Sequence, residues 1–74
     1  MTYARRTDEV MDSPNPGETT FYKAEALPGT ADSAPEWRIR RIVVTEDCDS
    51  TETWADGDAE FDNVWDDRLT LTYA

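Results

Sequence analysis

The chain has 74 residues, with 17 acidic against 7 basic side chains, and its formal net charge of −10 disfavours anionic nucleic acid and anionic membrane as partners. Its single cysteine, Cys48, and its lack of histidine exclude an intrachain disulfide and a tetrahedral zinc site. Because so short a chain removes only about 60% of its unfolded surface on folding, we expect further burial by association with copies of itself or with a larger protein.

The N-terminal segment is predicted to be an extended arm over residues 1–19, followed by a small β-domain over residues 20–74. The segment is poor in aliphatic side chains, and Pro14 and Pro16 hold its centre extended or turned while removing two amide donors. We expect such an arm to become ordered by lying along a neighbouring molecule.

The first strand is predicted over residues 19–27, where aromatic and β-branched side chains are concentrated. Alternation along this strand puts Tyr22, Ala24 and Ala26 on the cleaner apolar face. The dipeptide Pro28-Gly29 then ends the strand with a turn.

The second strand is predicted over residues 37–46, and its apolar alternation changes phase. Trp37 and Ile39 lie on one face, whereas Ile42 falls on the opposite face. A β-bulge near Arg40-Arg41 would restore a single apolar face, and this is the arrangement that we expect. The alternative is a strand that is buried on both faces at its far end.

A hairpin follows, in which a polar turn over residues 47–50 leads into a third strand over residues 51–54. Asp56-Gly57 supplies the positive-φ position that a reversing turn needs. Residues 59–61 predict a short fourth strand.

The C-terminal part is predicted to contain one helical turn and a closing strand. Asn63 is suited to be the N-cap of the turn. Residues 69–73 alternate leucine or tyrosine with threonine, which is typical of a half-buried strand. The predicted fold is all-β: a small four- to five-stranded antiparallel sheet or barrel with an extended N-terminal arm.

The residue types do not indicate catalysis, and we expect neither an enzyme nor a cofactor. A general acid or base needs a pocket that shifts its pKa, and so small a chain has little material for one. Cys48 lies between Asp47 and Asp49, whose charges disfavour the thiolate. No run of about 18 apolar residues or secretory signal is visible, so we expect synthesis in a reducing cytoplasm.

The acidic residues raise the question of calcium. Residues 45–74 contain ten acids and one base, Arg68. Asp47, Asp49, Thr51 and Asp58 occupy ligand positions of an EF-hand loop. Glu52, however, stands where that loop requires glycine. A looser set of oxygen ligands is Asp56, Asp58, Glu60 and Asp62. We expect a solvated acidic surface rather than a metal site.

Tryptophan and arginine residues are the candidate interface. Three tryptophans in a small sheet are usually core or interface anchors, although they could also stack on a sugar or a base. The arginines of the second strand could hold phosphate, but cross-strand pairs with Glu25 or Glu52, or contacts with an acidic neighbouring copy, explain them more simply. The candidate interface residues are Trp37, Arg38, Arg40, Arg41, Trp54, Trp65 and Arg68.

Five stretches carry a resemblance: GTADSA at 29–34, WRIRRI at 37–42, WADGDA at 54–59, FDNVWDDR at 61–68 and LTY at 71–73. They resemble a group of short tailed-bacteriophage proteins that are encoded among virion structural genes. The resemblance implies a non-enzymatic virion component, present in many copies and made in the host cytoplasm. We expect it to be tail- or fibre-associated, held to further copies or to larger phage structural proteins.

Three alternatives remain open from the sequence. Within the virion class, the chain could be a capsid decoration protein. From other classes, it could be a calcium-binding module, or a small inhibitor whose acidic half mimics nucleic acid. Calcium titration tests the calcium-binding alternative, and a nuclease- or polymerase-binding assay tests the inhibitor alternative.

Overall fold

The computed structural model describes residues 2–12 and 15–74, which form one antiparallel sheet of four strands arranged in chain order. The strands are β1 (Ala4–Met11), β2 (Thr19–Ala26), β3 (Arg38–Val44) and β4 (Ser50–Trp54). The sheet is open rather than closed into a barrel. The predicted all-β class is therefore confirmed, in its four-stranded sheet form.

The N-terminal segment belongs to the sheet, which corrects the predicted boundary between an arm (1–19) and a β-domain (20–74). β1 pairs with β2 along its whole length, from Ala4 opposite Ala26 to Met11 opposite Thr19. The composition of this segment did not indicate a strand, because β1 is a largely exposed edge strand and needs few aliphatic side chains.

The two prolines lie in the connection between β1 and β2. Pro16 forms part of the turn that precedes β2, and Pro14 lies outside the described residues. The predicted turn therefore connects two paired strands, β1 and β2. It does not separate an N-terminal arm from the sheet.

β3 runs without the bulge predicted near Arg40-Arg41. Its pairing with β2 is continuous over all seven residues. Ile42 and Val44 consequently lie on the same face as Arg38. The bulge is unnecessary because β2 places Phe21 directly opposite Ile42, so an apolar pair forms on that face as well.

The C-terminal part folds differently from its prediction. Residues 59–61 and 69–73 form no strand, and Tyr73 makes only an isolated bridge to Ala55. The helical turn is a 3₁₀ turn, Trp65–Asp67, preceded by Val64 instead of an Asn63 cap. Asn63 exchanges backbone hydrogen bonds with Trp37, which commits it to the edge of β3.

The core lies between one face of the sheet and the segment that follows β4. The buried apolar residues are Tyr22, Ala24, Ala26, Trp37, Ile39, Ala55 and Trp65. The apolar face predicted for the first strand is thus confirmed. The rings of Trp37 and Trp65 lie 6.5 Å apart, and the indole N–H of Trp37 donates to the carbonyl of Ala31 at 2.8 Å. Leu71 and Tyr73 pack against this core, so their alternation marks the side of the C-terminal segment that faces the sheet.

Candidate functional site

The second face of the sheet, which we call the open face, is not covered by any strand or helix in the described part of the chain. It is formed by the strand residues that alternate with those of the core. Phe21, Ile42, Val44 and Trp54 are half-buried on this face, and Met11 is 72% exposed. A solvated sheet face normally carries polar side chains, so these apolar residues set the open face apart.

Basic residues cross the middle of the open face as a band. The four residues of this cationic band are Arg5, Lys23, Arg38 and Arg40. The register brings them together, because Arg5 and Arg38 lie opposite Glu25 on either side of it, and Lys23 lies opposite Arg40. The band therefore crosses three neighbouring strands and extends about 7 Å, or two residues, along each of them.

Two members of the band are paired and two are not. Arg38 bonds Glu25 at 2.9 Å, and Arg40 bonds Glu52 at 3.2 Å. Arg5 and Lys23 are exposed and make no ion pair with any described residue. Glu25 lies opposite Arg5 but bonds Arg38, so the band presents two positive charges that form no ion pair within the described chain.

Aromatic side chains enclose Arg38 at one end of the band. Its guanidinium carbon lies 4.8 Å from the centroid of Phe61 and 5.8 Å from those of Tyr3 and Trp54. Such cation–π contacts are each worth about 0.5–1 kcal/mol at partly exposed sites. They join the N-terminal segment, β3 and the loop after β4, and so hold Arg38 in a defined position.

An apolar cleft of about 380 Å³ opens beside this cluster, lined by Tyr3, Leu27, Thr30, Glu36 and Phe61. This volume is at the lower end of the range of small-molecule sites, about 300–1,000 Å³. Thr30 donates its hydroxyl proton to the carbonyl of Leu27 at 2.7 Å, so that group is already used locally. Glu36 is the single ionisable carboxylate of the lining. The cleft can accept an apolar side chain, and its lining offers no paired acid and base.

Three of the predicted interface residues reach the open face: Arg38, Arg40 and Trp54. Trp37 and Trp65 are fully and 94% buried, respectively, and belong to the core instead of to a surface. They are buried because the segment after β4 folds back over the sheet and stacks Trp65 near Trp37.

The other two predicted interface residues, Arg41 and Arg68, lie on the covered face. Arg41 lies 4.7 Å from the ring centroid of Tyr73. Arg68 lies 4.4 Å from that of Trp65 and pairs with Asp8 at 3.1 Å. Both cations therefore serve to hold the C-terminal segment on the sheet.

Sequence reasoning missed Arg5 and Lys23, which the register places beside Arg38 and Arg40. Arg5 falls within the predicted arm, and Lys23 falls on the less apolar face of the first predicted strand. Pairing charged residues across a predicted β1–β2 hairpin would have brought the two together.

The carboxylates considered for calcium do not converge. The described residues contain no group of three or more His, Cys, Asp or Glu side chains placed to hold a metal ion. Asp58 instead accepts the backbone N–H of Glu60 at 3.0 Å, and Asp62 accepts the side-chain amide of Asn63 at 3.1 Å. These residues lie in a loop, not on the strand face expected for them.

Tyr73 is the titratable residue with a strong shift on the covered face. Burial raises the pKa of Tyr73 to about 12, and the neighbouring Tyr22 acts in the same direction. Its hydroxyl donates to the carbonyl of Arg68 at 2.8 Å, and its ring lies 5.8 Å from Tyr22. A neutral phenol at physiological pH is a structural donor here, which fixes the C-terminal segment to the sheet.

Comparison of the chain with protein-family models, with curated proteins and with solved structures returned no match. Among the described residues, no helix combines the length and the apolarity needed to cross a membrane. The chemistry and the exposure of the open face are therefore the basis for assigning a function.

Proposed function

We propose that this chain is a non-enzymatic structural component of a tailed-phage virion, tail- or fibre-associated. It assembles by covering the open face of its sheet with further copies or with a larger virion protein. The virion assignment is supported by the sequence resemblance, which covers roughly residues 20–74. The assembly role is supported by the geometry. A capsid decoration protein would use the same open face, and is the alternative.

The observation that carries the proposal is the cluster of apolar side chains on the open face. Phe21 and Ile42 form a direct cross-strand pair there, next to Val44 and Trp54. The second face of a two-layer antiparallel domain is normally polar where it meets water. Exposed apolar patches rimmed by charged residues mark sites of protein association. Covering this face would add the burial that so small a core lacks.

The features of the cleft also support binding rather than turnover. Its aromatic walls, Tyr3 and Phe61, have ring centroids 5.7 Å apart and are both 38% exposed. Leu27, which also lines the cleft, is 54% exposed. Aromatic and aliphatic groups around a shallow cleft suit an anchor side chain from a partner.

The first test is the oligomeric state of the purified chain, measured by sedimentation velocity across micromolar concentrations. Ile42→Ser removes an apolar group from the open face. The matched control is Leu69→Ser, because Leu69 is 63% exposed on the segment that follows β4. We expect Ile42→Ser to weaken association and Leu69→Ser to leave it unchanged. If the two variants associate equally strongly, the open face is not the surface through which copies of the chain assemble.

The second test addresses the virion assignment. Quantitative mass spectrometry of purified particles from a phage encoding this chain gives its copy number relative to the major capsid protein. We expect the chain in the particles, at a copy number far below that of the capsid protein. A copy number close to that of the capsid protein would favour decoration, and absence from the particles would overturn the assignment.

A further inference from the structure

We infer that the cationic band of one copy binds an acidic tip on a second copy, in a head-to-tail contact. The acidic tip is formed by the two turns at one end of the sheet, and its carboxylates are Asp12, Glu18, Glu46, Asp47 and Asp49. The inference deepens the proposed function and rests on it, because it names the partner and the contact by which copies would associate.

The acidic tip is a single surface because the β1–β2 and β3–β4 turns lie side by side. β1 and β2 close at Met11 opposite Thr19, and Thr19 in turn lies opposite Val44, where β3 passes into its own turn. Contact between the two turns is close, since a methyl group at Gly17 would overlap the carboxylate of Glu46. The tip therefore concentrates five carboxylates in one place.

The charges of the tip are not neutralised within the chain. None of its five carboxylates forms an ion pair with a described residue. Asp12 accepts the backbone N–H of Gly17 at 3.1 Å, and Glu18 accepts the side-chain amide of Asn15 at 2.9 Å. Neither bond supplies a positive charge. Asp47 and Asp49 project from an exposed turn and are open to an external cation.

The cationic band is the surface of the chain that fits this tip. The remaining basic residues are already used: Arg6 pairs with Asp32 at 3.0 Å, and Arg41 and Arg68 hold the C-terminal segment. Arg5 and Lys23 are the exposed cations without an ion pair among the described residues. Unpaired positive charge on one copy therefore meets unpaired negative charge on the next.

The positions of the two surfaces dictate the kind of assembly. Band and tip are separated by six residues of the chain, from Arg40 to Glu46, or at most roughly 20 Å at 3.3 Å per residue. A contact between two different surfaces is heterologous, so it repeats from copy to copy as a ring or an open line. The Phe21–Ile42 pair lies between the two surfaces on the same face, where a docked copy would cover it.

A compact acidic turn suits this band better than a nucleic acid does. The band is flanked on the open face by Glu9 and Glu52, and both ends of the sheet are acidic. A polyanion crossing the face would pass these carboxylates, whereas a hairpin turn can contact the band alone.

Charge reversal tests the pairing directly. The band variant is Arg5→Glu with Lys23→Glu, and the tip variant is Asp47→Lys with Asp49→Lys. All four side chains are exposed and outside the core, and far-UV circular dichroism checks that each variant remains folded. In sedimentation velocity we expect each variant to associate about tenfold or more weakly than wild type. The fully swapped chain, with all four substitutions, is expected to associate again.

The possible outcomes separate this inference from the proposed function. Association that survives both reversals but is lost in Ile42→Ser would overturn the band–tip contact and leave the assembly role in place. Loss in both variants without recovery in the swapped chain would show that band and tip do not pair with each other. A wild-type chain that stays monomeric would overturn the band–tip contact and assembly by further copies, and would leave docking on a larger virion protein as the form of the proposed function. Binding of a fluorescent single-stranded oligonucleotide that is lost in the band variant would replace the second copy by nucleic acid.

Discussion

Replacement of Trp37 by alanine is the change whose cost follows most directly from the structure. Trp37 is fully buried, its ring lies 5.2 Å from the guanidinium of Arg6, and its indole N–H donates to Ala31. Replacing a buried tryptophan by alanine costs about 3–5 kcal/mol. The carbonyl of Ala31 would still accept the backbone N–H of Ala34 at 3.0 Å, so the loss of packing accounts for most of this cost. At about 0.05–0.15 kcal/mol per residue, a domain of this size has a free energy of unfolding of roughly 4–11 kcal/mol. Its small core favours the lower end of that range, so we expect Trp37→Ala to be largely unfolded at 25 °C.

Urea denaturation followed by far-UV circular dichroism measures this effect without relying on tryptophan fluorescence. The matched control is Trp54→Ala, because Trp54 is only half-buried and contacts Arg38 and Arg40 on the open face. We expect the control to lose about 1–2 kcal/mol and to keep a cooperative transition. A wild-type urea midpoint for Trp37→Ala, or a larger loss for Trp54→Ala, would contradict the assignment of Trp37 to the core.

Four further outcomes are expected. Deleting residues 1–12 should abolish cooperative urea unfolding, because β1 supplies a full ladder to β2 and the ion-pair partner of Arg68; a folded truncated chain would restore the interpretation of an independent arm. Cys48→Gly should raise the free energy of unfolding by about 0.5–1 kcal/mol, since Cys48 has a φ of 66°; a lower urea midpoint would count against this. The free energy of unfolding should fall as the pH rises from 10 to 12, because an unfolded tyrosine ionises near pH 10 whereas the pKa of Tyr73 is raised to about 12. The slope should stay below about 1 kcal/mol per pH unit for this partly exposed ring, and Tyr73→Phe should remove that contribution. Raising monovalent salt to about 0.15 M should increase the melting temperature by screening the acidic surface, with calcium no more effective than magnesium at equal ionic strength; a calcium-specific increase would argue for a metal site.

The sequence predicted those elements whose signals are local. β2, β3 and β4 were predicted from runs of aromatic and β-branched residues. The turn was predicted from the Asp56-Gly57 dipeptide, and both residues have positive φ angles, 59° and 75°. β1 was missed because its stability comes from pairing with residues up to 22 positions away, such as Ala4 with Ala26. Its own side chains are mostly polar, as an edge strand allows.

The C-terminal segment was predicted as a strand for a related reason. Alternation of Leu71 and Tyr73 with threonine indicates which side is buried, but not whether the backbone pairs along its length. Here residues 72–74 make backbone hydrogen bonds with residues 54–56 at the end of β4, whereas residues 69–71 belong to no strand, and Leu71 and Tyr73 pack against the core. The alternation alone does not distinguish a strand that pairs along its whole length from a segment that mainly packs on the sheet.

The candidate site was predicted in part, because residue type does not distinguish a core from an interface. Trp37 and Trp54 satisfy the same criterion of size and aromaticity, yet one is fully buried and the other lies on the open face. The face of each follows from its place in the paired backbone, just before β3 for Trp37 and within β4 for Trp54, which composition does not encode. The position of Arg5 in the band depends on the pairing of β1 with β2, which the sequence analysis did not predict.

The change of phase in β3 is explained by two apolar faces in one strand. Ile39 faces the covered core, while Ile42 and Val44 face the other way with no strand or helix over them in the described chain. A bulge would have removed this conflict by turning every apolar residue to one side. The continuous ladder instead leaves apolar residues on both faces of β3 at its far end, from Ile42 to Val44. A strand segment that is apolar on both faces is typical of a sheet covered on both sides. The second cover is therefore expected from another molecule, which is the physical basis for regarding the single chain as one part of an assembly.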